Sequence, residues 1–468
     1  MPQPLCFVLM PFGTKSDPTG RPPIDFNRIY EKGIKPALEA AGMVPIRADE
    51  EKTGGIIHKP MFERLLLCEY AVADLTTANA NVFYELGVRH TARPCTTQPI
   101  FATHQPIPFD VNYLRALGYD LGANNEFGDA EANALVAALT DRLKQLRENA
   151  LGAAEPDSPV FQLLATWKPG DIEHLKTDEF HEQVMKNEEW RGRMEHARSL
   201  NKDDGIRELQ SIEAELGSLD FQEVGIVVDL MLAYRAQQGW TPMIDIFAKM
   251  PQLLRNQVMV REQLGFALNR RAGDAERLEA DRNVDRDRAL QVLQAVEDQQ
   301  GSNPETCGLI GRIYKDLWDS TRHSDPITAR GHLKRAIDAY TRGFESDMRD
   351  GFPGVNAATL LDIQGGADSK AKRDRLVPVV RFAVEQRLRA KDLDYWDYAT
   401  LVELAVLGND PALANDCLDS ALGLAKERWM PETTSRNLSL IREFRAARGE
   451  DVAWLDEIIA ALDKKAGK

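Results

Sequence analysis

The hydrophobic pattern of this chain changes near residue 150, and that change constrains the fold more than any other feature. Before it, short apolar runs alternate with amphipathic stretches of helical period. After it, only helical patterns remain, separated by Gly, Pro or Asn-Asp turns. A chain of 468 residues is long enough for two or three domains. The sequence therefore predicts an α/β domain at residues 1–152, a linker at 153–160 and an all-α region at 161–468.

The N-terminal region carries five strand signals in regular alternation with helical or turn segments. This arrangement is typical of a mainly parallel sheet with helices on both faces. The sequence also predicts a helix with Asn81 as its N-cap. The predicted strands are 6–12, 43–46, 70–73, 99–103 and 116–121, and further helices are predicted at 26–41, 56–68 and 130–149.

The C-terminal region reads as an α-solenoid of roughly a dozen helices that bury each other's apolar faces. One unit approaches the tetratricopeptide pattern, with a helix start at Asn303-Pro304 and Cys, Ile, Gly and Tyr at 307, 310, 311 and 314. The other units lack a strict 34-residue period, which indicates degenerate helical hairpins. The segment Phe352-Pro353-Gly354 predicts a turn between helices, with Asn356 as the following cap.

Charge and composition narrow the classes of partner. The net charge is −15, of which residues 1–150 contribute −3, and no run of five basic residues occurs. Such a surface disfavours direct binding to nucleic acid and to an anionic membrane. The start of the chain resembles no signal peptide and no apolar run could span a membrane, so we expect a cytoplasmic protein. Five widely spaced cysteines and eight scattered histidines predict neither disulfides nor a metal site.

Two acids, Asp74 and Glu85, mark the candidate site. Asp74 ends a predicted central strand and Glu85 lies about one turn inside the next helix, where an open α/β sheet builds its ligand site. A nucleotide-sized ligand fits this edge: Asp74 could hydrogen-bond ribose hydroxyls or a base edge, and Phe12 could stack on a base. Glu85 could attack a sugar carbon, or shield it electrostatically, as positive charge develops. The candidate catalytic residues are Glu85 and Asp74, and the candidate ligand-binding residues are Met10, Pro11, Phe12, Gly13, Arg47, Asp49, Thr76, Asn81 and Tyr84.

Most of these residues could instead have a structural role. Asp74 could cap the turn through Thr76 and Thr77, and Glu85 could be an ordinary helix-start residue. Met10 and Tyr84 could belong to the core. Arg47 and Asp49 could form a surface ion pair, which stabilises little.

An ordered set of segments across the N-terminal region resembles the nucleoside 2-deoxyribosyltransferase-like branch of the TIR superfamily. The resemblance implies a flavodoxin-like domain that splits N-glycosidic bonds. Glu85 matches the catalytic glutamate of that family and Asp74 its base- or sugar-binding aspartate. NAD or a related nucleotide is then the expected substrate, with no bound prosthetic group. The segments are 6–13, 29–30 with 34–37, 47–49, 73–76, 79–87, and 107–111 with 114–115.

The all-α region is similar to the TRAFs-binding helical region of the apoptosis signal-regulating kinases. The resemblance implies a protein partner for the solenoid, and we expect a bacterial-type homologue without the kinase domain. Related bacterial proteins suggest stress response or antiviral defence as the setting. The similar segments are 340–344, 352–361, 395–396 with 399–400, and 433–434 with 436–437.

Three functions are compatible with these features. The first is a signalling or defence effector whose N-terminal domain cleaves NAD or a related nucleotide under control of the solenoid. Such an effector could act as a homo-oligomer. The second is a catalytically silent scaffold that senses a nucleotide. The third is a nucleoside 2-deoxyribosyltransferase, for which about 310 additional residues have no evident use.

Overall fold

A five-stranded parallel sheet forms the centre of the N-terminal region in the computed structural model of this chain. The structure describes residues 3–47, 58–106, 115–150, 156–164, 166, 178–389 and 394–467. In chain order the strands are Leu5–Leu9 (β1), Thr14–Lys15 (β2), Ile24–Asp25 (β3), Val44–Arg47 (β4), Tyr70–Asp74 (β5), Thr97–Ala102 (β6) and Leu117–Tyr119 (β7). The sheet has the order β4-β1-β5-β6-β7, and β2 pairs with β3 in a separate antiparallel ribbon that the sequence did not predict.

Helices cover both faces of the sheet. They are Phe26–Ile29 (α1), Lys35–Ala40 (α2), His58–Leu67 (α3), Ala80–Ala92 (α4) and Asp129–Ala150 (α5). One face packs against α1, α2 and α5 through a core that includes Val72, Ile100 and Tyr119. The other face packs against α3 and α4 through a core that includes Ala71 and Ala73. The predicted parallel sheet with helices on both faces is confirmed.

The predicted helix at 26–41 contains an irregular turn. Between α1 and α2 the residues Tyr30–Ile34 form a wider, π-helical turn, in which the Lys35 N–H donates to the carbonyl of Tyr30. Pro36 has no N–H, so it cannot form the usual helical hydrogen bond at this point. The hydrophobic period predicted the helix, but the period alone does not show the turn.

The remainder of the described chain is helical. The chain divides into two compact units, Met1–Ala233 and Tyr234–Lys468, and the boundary falls within the helix Val224–Ala236. The linker predicted at 153–160 stays a prediction. The helices are Pro159–Leu163 (α6), Asp178–Ser199 (α7), Lys202–Leu216 (α8), Val224–Ala236 (α9), Trp240–Lys249 (α10), Gln252–Arg255 (α11), Val258–Ala272 (α12), Glu279–Gln300 (α13), Pro304–Thr321 (α14), Pro326–Ser346 (α15), Gly351–Gln364 (α16), Ala367–Arg389 (α17), Tyr395–Leu407 (α18), Pro411–Leu424 (α19), Trp429–Ala447 (α20) and Ala453–Ala466 (α21).

In the second unit, successive helices pack as hairpins, with α12 against α13, α14 against α15, and so on to α20 against α21. The predicted helix start at Asn303 is confirmed, because its side chain accepts the Thr306 N–H at 2.8 Å. Gly311 permits α14 to approach α15 closely, since a Cβ there would lie 2.8 Å from the ring of Tyr340.

The turn predicted at Phe352-Pro353-Gly354 is wrong. These residues form the first turn of α16, and Asp350, not Asn356, is the cap: its carboxylate accepts the Phe352 N–H at 3.0 Å. A proline is tolerated there because the first N–H groups of a helix have no intrahelical partner. Asn356 lies inside the helix and donates to the Phe352 carbonyl.

None of the described helices is both long enough and apolar enough to cross a bilayer. The five cysteines are free thiols, four of them buried.

Candidate functional site

The predicted site residues lie where parallel strands end at one edge of the sheet. Met10 to Gly13 follow β1, Arg47 ends β4, and Asp74 ends β5 with Thr76 in the turn that follows. Asp49 lies outside the described residues. Because parallel strands place their carboxyl ends together, these segments meet at the edge where doubly wound sheets bind ligands.

Asp74 is enclosed by its own domain. Its side chain is 0% exposed. One carboxylate oxygen accepts the Thr76 N–H at 3.0 Å, and the other accepts the Tyr119 hydroxyl at 2.8 Å. Burial raises the pKa of Asp74, against the hydrogen bonds from Thr76 and Tyr119. The turn-capping contact to Thr76 is therefore present, and a ligand that contacted this carboxylate would have to displace Tyr119.

Thr76 completes the same buried network. Its hydroxyl lies 3.0 Å from the Tyr119 hydroxyl and accepts the Ala102 N–H at 2.9 Å. The network joins the ends of β5, β6 and β7. In this structure Thr76 positions neighbouring strands, and its ligand-binding role stays a prediction.

The segment after β1 is held by Arg47. The guanidinium lies 4.2 Å from the ring centre of Phe12 and 4.7 Å from that of Tyr30. It also donates to the Pro11 carbonyl at 3.3 Å and to the Asn27 side chain at 2.8 Å. The stack between Arg47 and Phe12 would have to rearrange before a base could use that ring face.

Met10 and Gly13 have different surroundings. Met10 is buried in the sheet core. Gly13 has a φ of +62°, and no atom of the described residues lies within 4 Å of the point that a Cβ would occupy. Its N–H donates to the Asn27 side chain at 3.2 Å. A side chain at this position would meet backbone strain and not a steric clash, so the backbone at Gly13 is open to close approach.

The helix α4 begins two residues earlier than predicted. Asn79 is the N-cap, and its side chain accepts the N–H groups of Asn81 and Val82 at 3.0 and 3.3 Å. The prediction of Asn81 as the cap is wrong, because both asparagines suit a cap and only the backbone conformation selects between them. Asn81 is exposed on the first turn.

Glu85 is the candidate residue whose pKa is shifted by burial alone. It lies on α4, half-buried, and its carboxylate forms no hydrogen bond or ion pair with the described part of the chain. Burial raises its pKa from 4.5 to about 7. The neighbouring Tyr84 is 60% exposed and contacts Phe62 edge to face, so it is not a core residue. A perturbed, unpaired acid of this kind is typical of functional sites.

Asp74 and Glu85 start from opposite faces of the sheet. Side chains alternate along a strand, so Asp74 points with Val72 toward the face that holds Tyr119. Glu85 belongs to α4, which packs on the other face. The structure brings their backbones to one edge and gives their carboxylates different surroundings.

The same edge also holds a polar cluster that the sequence patterns did not predict. Buried Asp17 accepts hydrogen bonds from Gln105 and Asn125, both at 2.7 Å, and lies 3.0 Å from the His104 ring. Burial acts to raise its pKa, but the hydrogen bonds from Thr19, Gln105 and Asn125 hold it well below the usual value. These residues come from separate loops, so no local sequence pattern brings them together.

Arg89 was also missed. It is fully buried and donates at 2.8 Å to the carbonyls of both Leu65 and Cys68, at the end of α3. Lying one turn after Glu85, it fixes α4 against α3. Among the residues that the structure describes, no three His, Cys, Asp or Glu side chains lie close enough together to hold a metal ion.

Comparison with known proteins gives one family match. The family model described as "MAP3K TRAFs-binding domain" matches residues 82–459. Similar proteins include mitogen-activated protein kinase kinase kinase nsy-1 of Caenorhabditis elegans, 26% identical over 58% of this chain, and mouse mitogen-activated protein kinase kinase kinase 15, 27% identical over 56%. The human mitogen-activated protein kinase kinase kinase 6 is 27% identical over 51%. The matches span 18%, 20% and 18% of those relatives' own lengths.

Proposed function

The chain belongs to the MAP3K TRAFs-binding domain family, and on that basis we propose that it is a signalling protein whose helical region recruits a protein partner. From the geometry at the sheet edge, we further propose that its α/β domain cleaves NAD or a related nucleotide. The matched region, residues 82–459, includes nearly all of the helical part. TRAF proteins are the partner class that the family description suggests. Similarity to the kinases over about half of the chain supports the signalling role.

The strand order supports a flavodoxin-like, TIR-like assignment for the α/β domain. Numbered along the chain within the sheet, the order is 2-1-3-4-5, which is the order of doubly wound flavodoxin-like folds. The stacked hairpins of α12 to α21 support a tetratricopeptide-like solenoid. Proteins with such stacked hairpins commonly offer extended surfaces to partners.

Glu85 is the observation that carries the catalytic proposal. Its pKa of about 7 lets it change between neutral and ionised forms near physiological pH. When ionised, a carboxylate beside the scissile bond stabilises the positive charge that develops on the ribose carbon, or attacks that carbon directly. The bond broken joins the ribose carbon to the nicotinamide nitrogen, nicotinamide leaves with the bonding electrons, and water supplies the hydroxyl.

The test is nicotinamide release from NAD by the purified full chain. Wild-type protein and a Glu39→Gln control should release nicotinamide, because Glu39 is exposed on α2. A Glu85→Gln variant should be at least about 100-fold slower, the scale expected for loss of an essential acid–base or charge-stabilising group. Equal release by Glu85→Gln and wild type would refute the role of Glu85.

A second candidate is a catalytically silent, nucleotide-sensing scaffold. The enclosure of Asp74 and the stack of Arg47 on Phe12 favour it, because both described groups that were predicted to hold the nucleotide already have partners within the domain. Equilibrium dialysis with NAD separates the two functions. Binding without nicotinamide release, in the presence of the partner as well as without it, would select the scaffold.

A further inference from the structure

One exposed face of α17 is both basic and apolar. Its side chains recur at intervals of three, four or seven residues, which places them on one side of the helix. All of them are exposed, and the exposed fraction of Phe382 is 63%. They are named here the α17 face: Lys372, Arg375, Val379, Phe382 and Arg389.

The cations of the α17 face lack counter-charge within their own chain. The helix carries seven Lys and Arg against three Asp and Glu, whereas the whole chain has a net charge of −15. The salt bridges of α17 involve Arg373 and Arg387. Among the described residues, Lys372, Arg375 and Arg389 form no ion pair. These three charges are therefore available to an acidic surface.

A second exposed apolar surface lies where α14 and α16 begin. The Phe352 ring, 58% exposed, lies 3.5 Å from the point that a Cβ of Gly308 would occupy. Glu305 is exposed one turn before Gly308, on the same side of α14. Asp350 lies beside Phe352, because its carboxylate accepts the Phe352 N–H at 3.0 Å. Met348, in the preceding turn, is exposed as well. Glu305, Met348, Asp350 and Phe352 are named here the acidic patch.

The carboxylates of the acidic patch are also without counter-charge. Neither Glu305 nor Asp350 forms an ion pair with another residue that the structure describes. The adjacent Asp347 differs, since it pairs with Arg349 at 2.7 Å. The patch therefore combines two unneutralised acids with exposed apolar side chains, and the α17 face combines unneutralised cations with the same kind of apolar surface.

We propose that the α17 face of one copy of this chain docks on the acidic patch of a second copy. Both surfaces stay exposed within one copy, so their pairing requires another chain. Opposite charges would set the orientation, and the rings of Phe382 and Phe352 would supply the apolar contact, since aromatic side chains are favoured at interface centres. Contact between two different surfaces can close a ring or extend from copy to copy. The contact is separate from partner recruitment and from NAD cleavage.

Sedimentation velocity of the full chain measures this self-association. The sedimentation coefficient of the wild-type protein should rise between about 1 and about 200 µM, the range of weak protein contacts, and the rise should diminish at high salt. Phe382→Ser removes an exposed ring and should raise the dissociation constant at least about tenfold. Ile327→Ser is the matched control and should associate like wild type, because Ile327 is exposed on α15, outside both surfaces.

Charge reversal tests whether the two surfaces are each other's partners. Lys372→Glu/Arg375→Glu makes the α17 face acidic. Glu305→Lys/Asp350→Asn makes the acidic patch basic, and the asparagine can still cap α16. Each double variant alone should stay monomeric, because like charges would meet. An equimolar mixture of the two should associate again, because each copy then finds oppositely charged surfaces on the other.

The mixture also separates a lost contact from a lost fold, since an unfolded variant could not restore association; circular dichroism checks folding directly. Arg330→Glu/Lys334→Glu reverses two exposed charges on α15 and should associate like wild type. A wild-type chain that stays monomeric at about 200 µM would overturn the proposal, also if its α17 face instead binds a separate acidic protein. Undiminished association of Phe382→Ser, or a mixture that stays monomeric, would overturn it as well.

Discussion

The ionisation of Glu85 links the candidate site to stability. The pKa of Glu85 is about 7 in the folded chain and 4.5 for an ordinary glutamate, so its carboxyl group ionises more easily when the chain is unfolded. Stability is therefore lost as pH rises from about 4.5 through about 7. A Glu85→Gln variant should be more stable than wild type at pH 8.5 by about 1–3 kcal/mol and nearly equal at pH 4.5. Urea denaturation at both pH values measures this, with Glu39→Gln as the control, and an equal effect of Glu85→Gln at both would contradict it.

Tyr119 is the residue on which the Asp74 network depends. A Tyr119→Phe variant removes the hydroxyl that Asp74 and Thr76 share and leaves a buried carboxylate with one partner fewer. The free energy of unfolding should fall by about 1–3 kcal/mol. Thermal denaturation measures the change. Tyr84→Phe is the matched control, since Tyr84 is 60% exposed, and a loss as large as that of Tyr119→Phe would contradict the assigned role.

At the scale of elements, the α14–α15 hairpin depends on a close approach at Gly311. A Gly311→Ala methyl group would lie 2.8 Å from the Tyr340 ring, so the hairpin must open. Overpacking of this kind costs about 1–3 kcal/mol. A Gly331→Ala methyl group on α15 would meet no described atom within 4 Å, and it should stabilise by up to about 1 kcal/mol. Opposite shifts in denaturation midpoint are expected, and destabilisation by both would contradict this description of the hairpin.

The elements also show where sequence patterns carry information and where they do not. Hydrophobic period predicted the parallel sheet and the helical hairpins, because both must bury one face. The cap of α4 and the start of α16 were misplaced, since Asn79 and Asn81 are chemically alike and Phe352-Pro353-Gly354 suits a first helical turn as well as a loop. Local composition does not choose between these conformations; tertiary packing does.

For the whole molecule, the edge of the sheet was predictable but the contacts at that edge were not. Strand ends predicted which segments meet. Tyr119, which buries Asp74, lies 45 residues after it in the chain, and Asn125, which binds Asp17, lies 108 residues after it. No local sequence pattern reveals contacts over such separations. The family match begins at residue 82 and supports signalling, while the chemistry of the α/β domain remains the central proposal.

The pH dependence of nicotinamide release from NAD tests that proposal most directly. If ionised Glu85 stabilises the transition state, release by wild-type protein should rise with pH to a plateau, with a midpoint near 7, because burial sets the pKa of Glu85 at about 7. Glu39→Gln should show the same profile, and Glu85→Gln should show neither the rise nor substantial release. Release by Glu85→Gln at the wild-type rate, with the same profile, would contradict the account.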